Sequence, residues 1–228
     1  MDLLTFQVSP EKGEVSACYQ PAETPVALLV LGHGAGANML HNHMQQLTDT
    51  LAQQNISTLR YNFPFMEKGS GRADNLEVCL DTIDAALKTA KELAKEVSPA
   101  LPLYLAGHSF GGRMSSHYAA ELKPDISGLV YFSFPLHPAK KPETKRARHL
   151  TEVQVPQLFV SGTRDTLAEL TLLEPIVAGL KAATLYKIDT ADHGFKILKR
   201  TRQSTEDVYS EAARAVASWL TEQLPKNQ

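Results

Sequence analysis

The chain's 228 residues, 43% of them hydrophobic, are enough to bury the core of one α/β domain, and we expect a single domain over residues 1–228. Its formal net charge of −2 argues against a nucleic-acid partner, and no apolar run approaches the roughly 20 residues that cross a membrane. Because Cys18 and Cys79 are its only cysteines, and Met1-Asp2-Leu3-Leu4 lacks the basic and apolar parts of a signal peptide, we expect a cytoplasmic protein with reduced thiols.

Apolar residues recur in patterns that predict strands and helices in alternation after an initial hairpin. The turn Pro10-Glu11-Lys12-Gly13 joins the first two strands, and the continuous apolar run at residues 26–31 is typical of a central strand. The predicted strands cover residues 3–8, 14–19, 26–31, 56–61, 101–106, 128–133, 157–161 and 183–188. The predicted helices cover residues 39–54, 74–97, the segment after Gly111 up to 122, 167–180 and 204–224.

This order of elements predicts an α/β fold with a mostly parallel central sheet, an N-terminal antiparallel hairpin and helices on both faces. Residues 62–71 form a predicted loop, and residues 134–156 form a short irregular insert with four prolines that is too short for a large lid. We interpret the basic run of the insert as a solvated surface, with steering of an anionic acyl substrate as the alternative. The run consists of Lys140, Lys141, Lys145, Arg146 and Arg148.

Gly107-His108-Ser109-Phe110-Gly111 follows one of these predicted strands and has the pattern G-x-S-x-G. The pattern favours a nucleophile elbow, in which a serine on a sharp strand-to-helix turn holds its hydroxyl above the sheet. Glycines flank such a serine because a side chain there would collide with the closely packed backbone. Five residues with three fixed are weak evidence alone, so the hypothesis depends on partners elsewhere in the chain.

A serine hydroxyl needs a base within hydrogen-bond reach, and the base needs an orienting acid. In the expected order of serine, acid and histidine, Asp165 follows the predicted strand 157–161, and His193 follows the predicted strand 183–188. The carboxyl ends of parallel strands meet at one edge of a sheet. We therefore predict Ser109 as nucleophile, Asp165 as acid and His193 as base.

Other residues could fill these roles. Asp192 adjoins His193, but neighbouring side chains on an extended loop point apart, and Asp189 is a further fallback for the acid. The other histidines are weaker candidates by position, and His33 is expected to orient its loop. They are His41 and His43 before the serine, His117 in the following helix, and His137 and His149 in the insert.

Backbone amides are expected to bind the oxyanion of the transition state. One donor should be the N–H of Phe110, directly after the serine. The other should come from the glycine-rich loop at residues 32–36, where we choose Ala35, with Gly34 as the fallback. The loop lacks the lysine of a phosphate-binding motif and the spacing G-x-G-x-x-G, which argues against nucleotide binding.

Taken together, these residues resemble the α/β-hydrolase superfamily, from about Val26 to Leu220. More narrowly, the chain is similar to the dienelactone-hydrolase-like branch, which includes a vertebrate testis-expressed hydrolase-like protein and the hydrolase-like domain of a chromatin-complex subunit. The closer signals are Arg60-Tyr61-Asn62-Phe63-Pro64, Gly111-Gly112-Arg113-Met114 and Tyr131-Phe132-Ser133-Phe134-Pro135-Leu136-His137-Pro138. Dienelactone hydrolases proper use a cysteine nucleophile, whereas this chain has Ser109, which favours ordinary ester chemistry.

The resemblance implies a serine hydrolase that cleaves a carboxylic ester or thioester, as a monomer or homodimer acting on a small-molecule ester or acyl substrate. No metal or organic cofactor is expected. The alternatives are a peptidase with the same triad and a non-catalytic hydrolase-like interaction module. Apolar residues of the loop and the insert are expected to line the acyl pocket or to be simple packing, namely Phe63, Phe65, Met66, Phe134 and Leu136.

Overall fold

The computed structural model describes residues 1–223 of the chain. The predicted end of the last helix at Leu224 and the final residues of the expected domain lie outside the described residues. The strands are β1 (Asp2–Ser9), β2 (Gly13–Gln20), β3 (Ala27–Gly32), β4 (Ile56–Tyr61), β5 (Leu103–His108), β6 (Gly128–Phe132), β7 (Gln157–Gly162) and β8 (Ala183–Ile188). The helices are α1 (Asn42–Gln53), α2 (Pro64–Glu67), α3 (Leu76–Val97), α4 (Phe110–Leu122), α5 (Leu170–Ala178) and α6 (Val208–Gln223), with a 3-10 helix at Lys145–Glu152.

The strands form one sheet in the order β1-β2-β4-β3-β5-β6-β7-β8. β1 and β2 pair as an antiparallel hairpin, and β2 joins β4 antiparallel. From β4 to β8 all neighbouring strands are parallel. The predicted fold class is confirmed, and the loops after the parallel strands all meet at one edge of the sheet.

Both faces of the sheet are covered by helices, because alternate residues of the central strands are apolar on each side. In β3, Leu28 and Val30 belong to a core with α3, α4 and α5, whereas Leu29 and Leu31 belong to a second core with α1 and α6. All six residues of β3 are buried. A strand buried on both faces explains why its sequence is a continuous apolar run instead of an alternating one.

Short helical segments are where structure and sequence pattern differ. The predicted loop 62–71 contains the four-residue helix α2, which begins with Pro64 at a position where proline's missing N–H and fixed φ are tolerated. The insert 134–156 contains the 3-10 helix Lys145–Glu152, whose Ala147 and Leu150 are buried. The four-residue length of α2, and Pro142 and Pro156 on either side of the 3-10 helix, hide the periodicity of these segments in the sequence.

Four helices, α1, α3, α5 and α6, begin two to four residues later than predicted, and polar side chains accept backbone amides close to the start of each. His41 accepts the N–H of His43 and so begins α1 at Asn42 instead of residue 39. Asp165 accepts the N–H of Leu167 at 2.8 Å, and α5 begins only at Leu170. The carboxylate of Asp207 likewise caps the first turn of α6. Within residues 1–223, no helix combines the length and the hydropathy needed to cross a membrane.

Candidate active site

Ser109 lies on a strained turn between β5 and α4. Its φ of 50° and ψ of −113° are unusual for a residue with a side chain. A Cβ atom on Gly107 would lie 2.1 Å from the backbone N of Gly112, and one on Gly111 would lie 2.3 Å from the carbonyl oxygen of Gly32. The two glycines of the motif therefore let α4 start directly against β5 and β3, and this close approach holds the serine at the edge of the sheet.

A continuous chain of hydrogen bonds joins three of the predicted site residues. Nε2 of His193 lies 2.8 Å from Oγ of Ser109, and Nδ1 of His193 lies 2.8 Å from Oδ2 of Asp165. With Asp165 ionised, Nδ1–H donates to the carboxylate, and Nε2 is then the acceptor of the serine O–H. The side chain of His193 is 22% exposed and that of Asp165 is 0% exposed, so the acid is shielded while the imidazole is reachable.

The loop after β7 positions Asp165 through its own backbone. The N–H of Asp165 donates to the carbonyl of Gly162 at 3.1 Å, and Oδ1 of Asp165 accepts the amide of Leu167. A Cβ on Gly162 would lie 2.3 Å from the carbonyl oxygen of Ala191, two residues before His193. Only glycine therefore allows the β7 and β8 loops to approach closely enough for the acid to reach the base.

The fallback acids have other partners. Oδ1 of Asp192 accepts the backbone amides of Gly194 and Lys196, at 2.9 and 3.0 Å, and so shapes the loop that carries His193. Oδ2 of Asp189 accepts the amide of Gln203 at 3.1 Å. Among the described residues, the carboxylate that contacts the His193 ring is that of Asp165.

His33 is fully buried behind the glycine-rich loop. The N–H of Phe63 donates to Nε2 of His33 at 3.1 Å, and Nδ1 of His33 lies 2.8 Å from the carbonyl oxygen of Gly34. Burial lowers the pKa of His33 to about 4, so the ring is neutral near neutral pH. The residue links the loops after β3 and β4, as expected of a loop-orienting histidine.

The remaining candidate histidines are occupied away from Ser109. His137 is buried with its Nε2 against Glu169. His117 and His149 stack on each other with ring centroids 3.6 Å apart. His41 caps α1, as described above, and His43 packs beneath the site.

His108, whose role the motif leaves undetermined, contacts the loop that carries His193. Its Nε2–H donates to the backbone carbonyl of His193 at 3.0 Å, and its ring packs against that of His43 at a tilt of 56°, with 4.3 Å between centroids. His43 in turn packs on Tyr209 and lies 3.0 Å from its hydroxyl through Nδ1. Burial lowers the pKa of His108 to about 4. Its place beside the serine, at the edge of the sheet, was the sequence signal that could have identified it.

The candidate oxyanion donors lie close to the serine with their amides free. A Cβ on Gly34 would lie 3.0 Å from Nδ1 of His108 and 3.7 Å from Cβ of Ser109, so this loop passes directly beside the nucleophile. The N–H of Gly111 donates to the carbonyl of His33 and fixes the loop against α4. Within residues 1–223, the amides of Gly34, Ala35 and Phe110 form no hydrogen bond with the protein.

The expected apolar pocket residues are mainly packing. Phe134 and Leu136 are 1% and 0% exposed, and Phe134 packs on Tyr131 and Phe159 instead of facing the serine. Phe63 and Phe65 are buried and contact the ring of Phe110 edge-on, at 5.4 and 5.9 Å between centroids. They support the residue after the nucleophile, and Met66 is only partly buried beside them.

An open groove of about 490 Å³ passes the loop that carries His193. It runs between the starts of α1 and α6, where His41, Gly194, Lys196 and Tyr209 line it. Within the described part of the chain, no three His, Cys, Asp or Glu side chains are grouped so that they could hold a metal ion.

Comparison with known proteins places this arrangement in a family. A family model described as "Alpha/beta hydrolase domain" matches residues 25–221. The proline iminopeptidase of Thermoplasma volcanium is 32% identical over 109 residues, which cover 48% of this chain and 35% of that relative. The aligned part of the chain thus spans about a third of the length of this curated relative.

Solved structures show the same fold at low identity. Dienelactone hydrolase from Anabaena variabilis has a TM-score of 0.75 and 16% identity, with 98% of this chain and 99% of that chain covered. Est1E from Butyrivibrio proteoclasticus, solved with ferulic acid bound, has a TM-score of 0.72 and 18% identity, with 92% and 95% covered. Since the family match runs from before β3 into α6 and contains every element that carries the site, the chain belongs to the α/β-hydrolase domain family.

Proposed function

We propose that the protein is a serine hydrolase that cleaves carboxylic esters or thioesters through an acyl-enzyme intermediate, with Ser109, His193 and Asp165 as its catalytic triad. The observation that carries the proposal is the chain of two 2.8 Å hydrogen bonds from Ser109 through His193 to Asp165. This chain supplies a base in contact with the nucleophile and an acid in contact with the base, the arrangement that activates a serine at neutral pH.

In the acylation step, Oγ of Ser109 attacks the substrate carbonyl carbon while Nε2 of His193 takes the hydroxyl proton. Asp165 keeps the imidazole oriented and stabilises its positive form. The proton then passes from Nε2 to the departing alkoxide or thiolate, which leaves as the alcohol or thiol. The buried position of Asp165 supports this role because a shielded carboxylate interacts more strongly with the imidazolium.

The tetrahedral intermediate carries a negative oxygen that needs hydrogen-bond donors. We assign this role to the amides of Phe110 and Ala35, with that of Gly34 as the alternative in the same loop. Loss of one such donor typically costs roughly 3 kcal/mol of transition-state stabilisation. The free amides at these positions and the closeness of Gly34 to Ser109 support the assignment.

In the deacylation step, water replaces the alcohol. His193 takes a proton from the water, the resulting hydroxide forms a bond to the acyl carbon, and the bond from that carbon to Oγ breaks. The proton returns to Ser109, and the product is a carboxylic acid. Each proton is carried by His193, so the cycle needs no metal ion or organic cofactor.

A fluorophosphonate probe tests the nucleophile directly. We expect stoichiometric labelling at Ser109 in the folded protein and none in Ser109→Ala, with ester hydrolysis reduced at least about 10⁴-fold in that variant. Ser218→Ala, at an exposed position on α6, is the matched control and should label as the wild type does. Folded wild-type protein that fails to label would overturn the proposal and favour the non-catalytic interaction module.

A peptidase with the same triad is the second candidate, because a proline iminopeptidase is among the relatives. Turnover of proline 4-nitroanilide can be compared with that of 4-nitrophenyl esters and the corresponding thioesters at equal concentration. Faster hydrolysis of the esters and thioesters supports the proposed function. A higher kcat/KM for the anilide, an intrinsically less reactive bond, would assign the protein to the peptidases instead.

A further inference from the structure

Arg113 lies one helical turn beyond the nucleophile in α4, where its N–H donates to the carbonyl of Ser109 at 3.1 Å. Side chains on a helix lean toward its N-terminus, which directs the guanidinium back over the first turn. Its Cζ atom lies 5.9 Å from the centroid of the Phe110 ring, within the range of a cation–π interaction. A positive charge is therefore held beside the residue that follows the nucleophile.

The guanidinium has no acidic partner in the part of the chain that the structure describes. Asp74 accepts the amide of Phe65 at 2.8 Å, and Asp84 binds Lys88 and Tyr118, so these two carboxylates have other partners. Arg113 is partly buried, yet none of its nitrogen atoms is both enclosed and unpaired. Its N–H groups form no bond within residues 1–223 and so face solvent, where a ligand can reach them.

The surroundings of Arg113 add positive charge. Arg146 of the 3-10 helix is close enough to lower the pKa of Arg113, after the larger effect of burial. The stacked rings of His117 and His149 lie on the same side but add no charge near neutral pH, because burial lowers their pKa values to about 4 and about 3. Oγ of Ser116 lies 2.7 Å from Nε2 of His149. Glu121 is 3.8 Å from Nδ1 of His117, one turn further from the serine. An unpaired cation that loses part of its hydration is stabilised by a bound anion.

We infer that Arg113 binds a carboxylate at the far end of the acyl group, so that the preferred substrates are half-esters or half-thioesters of short dicarboxylic acids. The inference rests on the proposed function, because the acyl carbonyl must be at Ser109 when the carboxylate is at Arg113. One helical turn is about 5.4 Å, so a few carbon atoms bridge the two positions. A guanidinium suits this role because its paired N–H groups match both oxygens of a carboxylate.

Hydrolysis of a half-ester follows the proposed cycle, and the distal carboxylate takes no part in it. The bond between the acyl carbon and the alcohol oxygen breaks, the alcohol leaves with a proton from His193, and water supplies the new oxygen. The distal carboxylate is neither formed nor consumed, and it leaves as part of the dicarboxylic acid. Arg113 thus acts on binding and positioning of the acyl chain, with no proton transfer of its own.

The test compares two kinds of 4-nitrophenyl ester of glutaric and adipic acid. In the half-esters the far carboxylate is free, whereas in the matched diesters it is blocked as a methyl ester, so the chain is the same but has no charge. We expect the wild type to prefer the half-esters by kcat/KM about tenfold or more, and Arg113→Gln to lose this preference. Arg113→Lys keeps the charge without the paired geometry and should retain part of it. Arg148→Gln is the matched control: it removes an exposed cation of the 3-10 helix that also contains Arg146, and the preference for half-esters should remain intact.

Labelling by a neutral fluorophosphonate distinguishes a failure of the Arg113 assignment from a failure of the proposed function. If Ser109 labels but the wild type does not favour the half-esters, or if Arg113→Gln keeps the preference, the assignment of Arg113 is overturned while the proposed function stands. If Ser109 does not label, the proposed function itself fails. Should Arg113→Gln not fold, protection of wild-type Ser109 from labelling by monomethyl glutarate, but not by uncharged dimethyl glutarate, would still support the assignment, and equal protection would contradict it.

Discussion

The residue before Ser109 and the residue after it face opposite sides of the sheet, and their surroundings handle charge differently. On the side of α1 and α6, His108, His43 and Tyr209 form what we call the histidine flank, in which tilted and edge-on ring contacts have centroid distances of 4.3 and 5.4 Å. On the side of α4 and the 3-10 helix, Phe110, Arg113, His117 and His149 form what we call the arginine flank.

The rings of the histidine flank are neutral near neutral pH. Burial lowers the pKa of His43 to about 3 and that of His108 to about 4, and Nε2 of His108 binds the loop that carries His193. The arginine flank keeps a permanent charge that no protein group neutralises among the described residues. The histidine flank thus supports the geometry of the site, whereas the arginine flank offers a charged group to a ligand.

Among the substitutions that test this comparison, Asp165→Asn, which changes the acid at the site between the two flanks, should lower activity most. An asparagine keeps the shape but favours the wrong tautomer of His193, so kcat should fall about 10⁴-fold with little loss of stability. Steady-state hydrolysis of a neutral 4-nitrophenyl ester measures the effect, and circular dichroism checks folding. Asp189→Asn, which changes the fallback acid, should be far milder. If Asp189→Asn lowers kcat more than Asp165→Asn does, the acid that orients His193 is Asp189.

On the histidine flank, we expect His108→Leu to lower kcat about 10- to 100-fold, because the loop of His193 loses its hydrogen bond and a small displacement of the base is costly. KM should change much less. His108→Gln, which can still donate from its side-chain amide, should recover part of kcat. Equal losses in both variants, or a loss confined to KM, would show that His108 is only a packing residue and not a positioning residue.

The histidine flank should also make the fold sensitive to acid. His43 has a pKa of about 3 in the folded protein against 6.5 as its ordinary value, so the unfolded chain binds more protons below pH 6.5. The contribution is complete above that pH and is lost as the pH falls toward 3, at up to about 1.4 kcal/mol per pH unit. Urea unfolding at several pH values should show a shallower decline for His43→Phe than for the wild type. An unchanged decline would mean that His43 does not become charged on unfolding in this window.

The smallest effect that we expect is a change in the pKa of one histidine on the arginine flank, with no change on the histidine flank. The pKa of His117 is lowered to about 4, first by burial and then by the charge of Arg113, whereas Arg113 does not contribute to the low pKa of His43. NMR titration of Arg113→Gln should therefore show a raised pKa for His117 and an unchanged one for His43. Equal shifts at both rings would indicate a general loosening of the fold instead of a local charge effect.

Much of this arrangement could be predicted from the sequence. The predicted strands 56–61 and 183–188 have the observed bounds of β4 and β8, and a residue that favours turns directly follows each segment, Asn62 after β4 and Asp189 after β8. The G-x-S-x-G pattern located the strained turn: a Cβ on Gly107 would meet the backbone of Gly112 within the same strand-turn-helix unit, and Gly111 is required by the close approach of β3. The choice of Asp165 over Asp192 followed from the direction of neighbouring side chains, and the structure places Asp165 against His193. The triad roles themselves stay predictions.

The α/β order of elements, the sheet edge at which the loops collect and the serine turn are specified by the sequence, because each depends mainly on residues close together in the chain. The folded structure is what brings His108 to the carbonyl of His193, 85 residues away, packs His43 on Tyr209, and leaves Arg113 without an acidic partner among the described residues. These contacts depend on strand order and on the packing of helices from distant segments. Local patterns of hydrophobicity specify which elements form, whereas the pairing of polar groups between elements is set by where the whole fold places them.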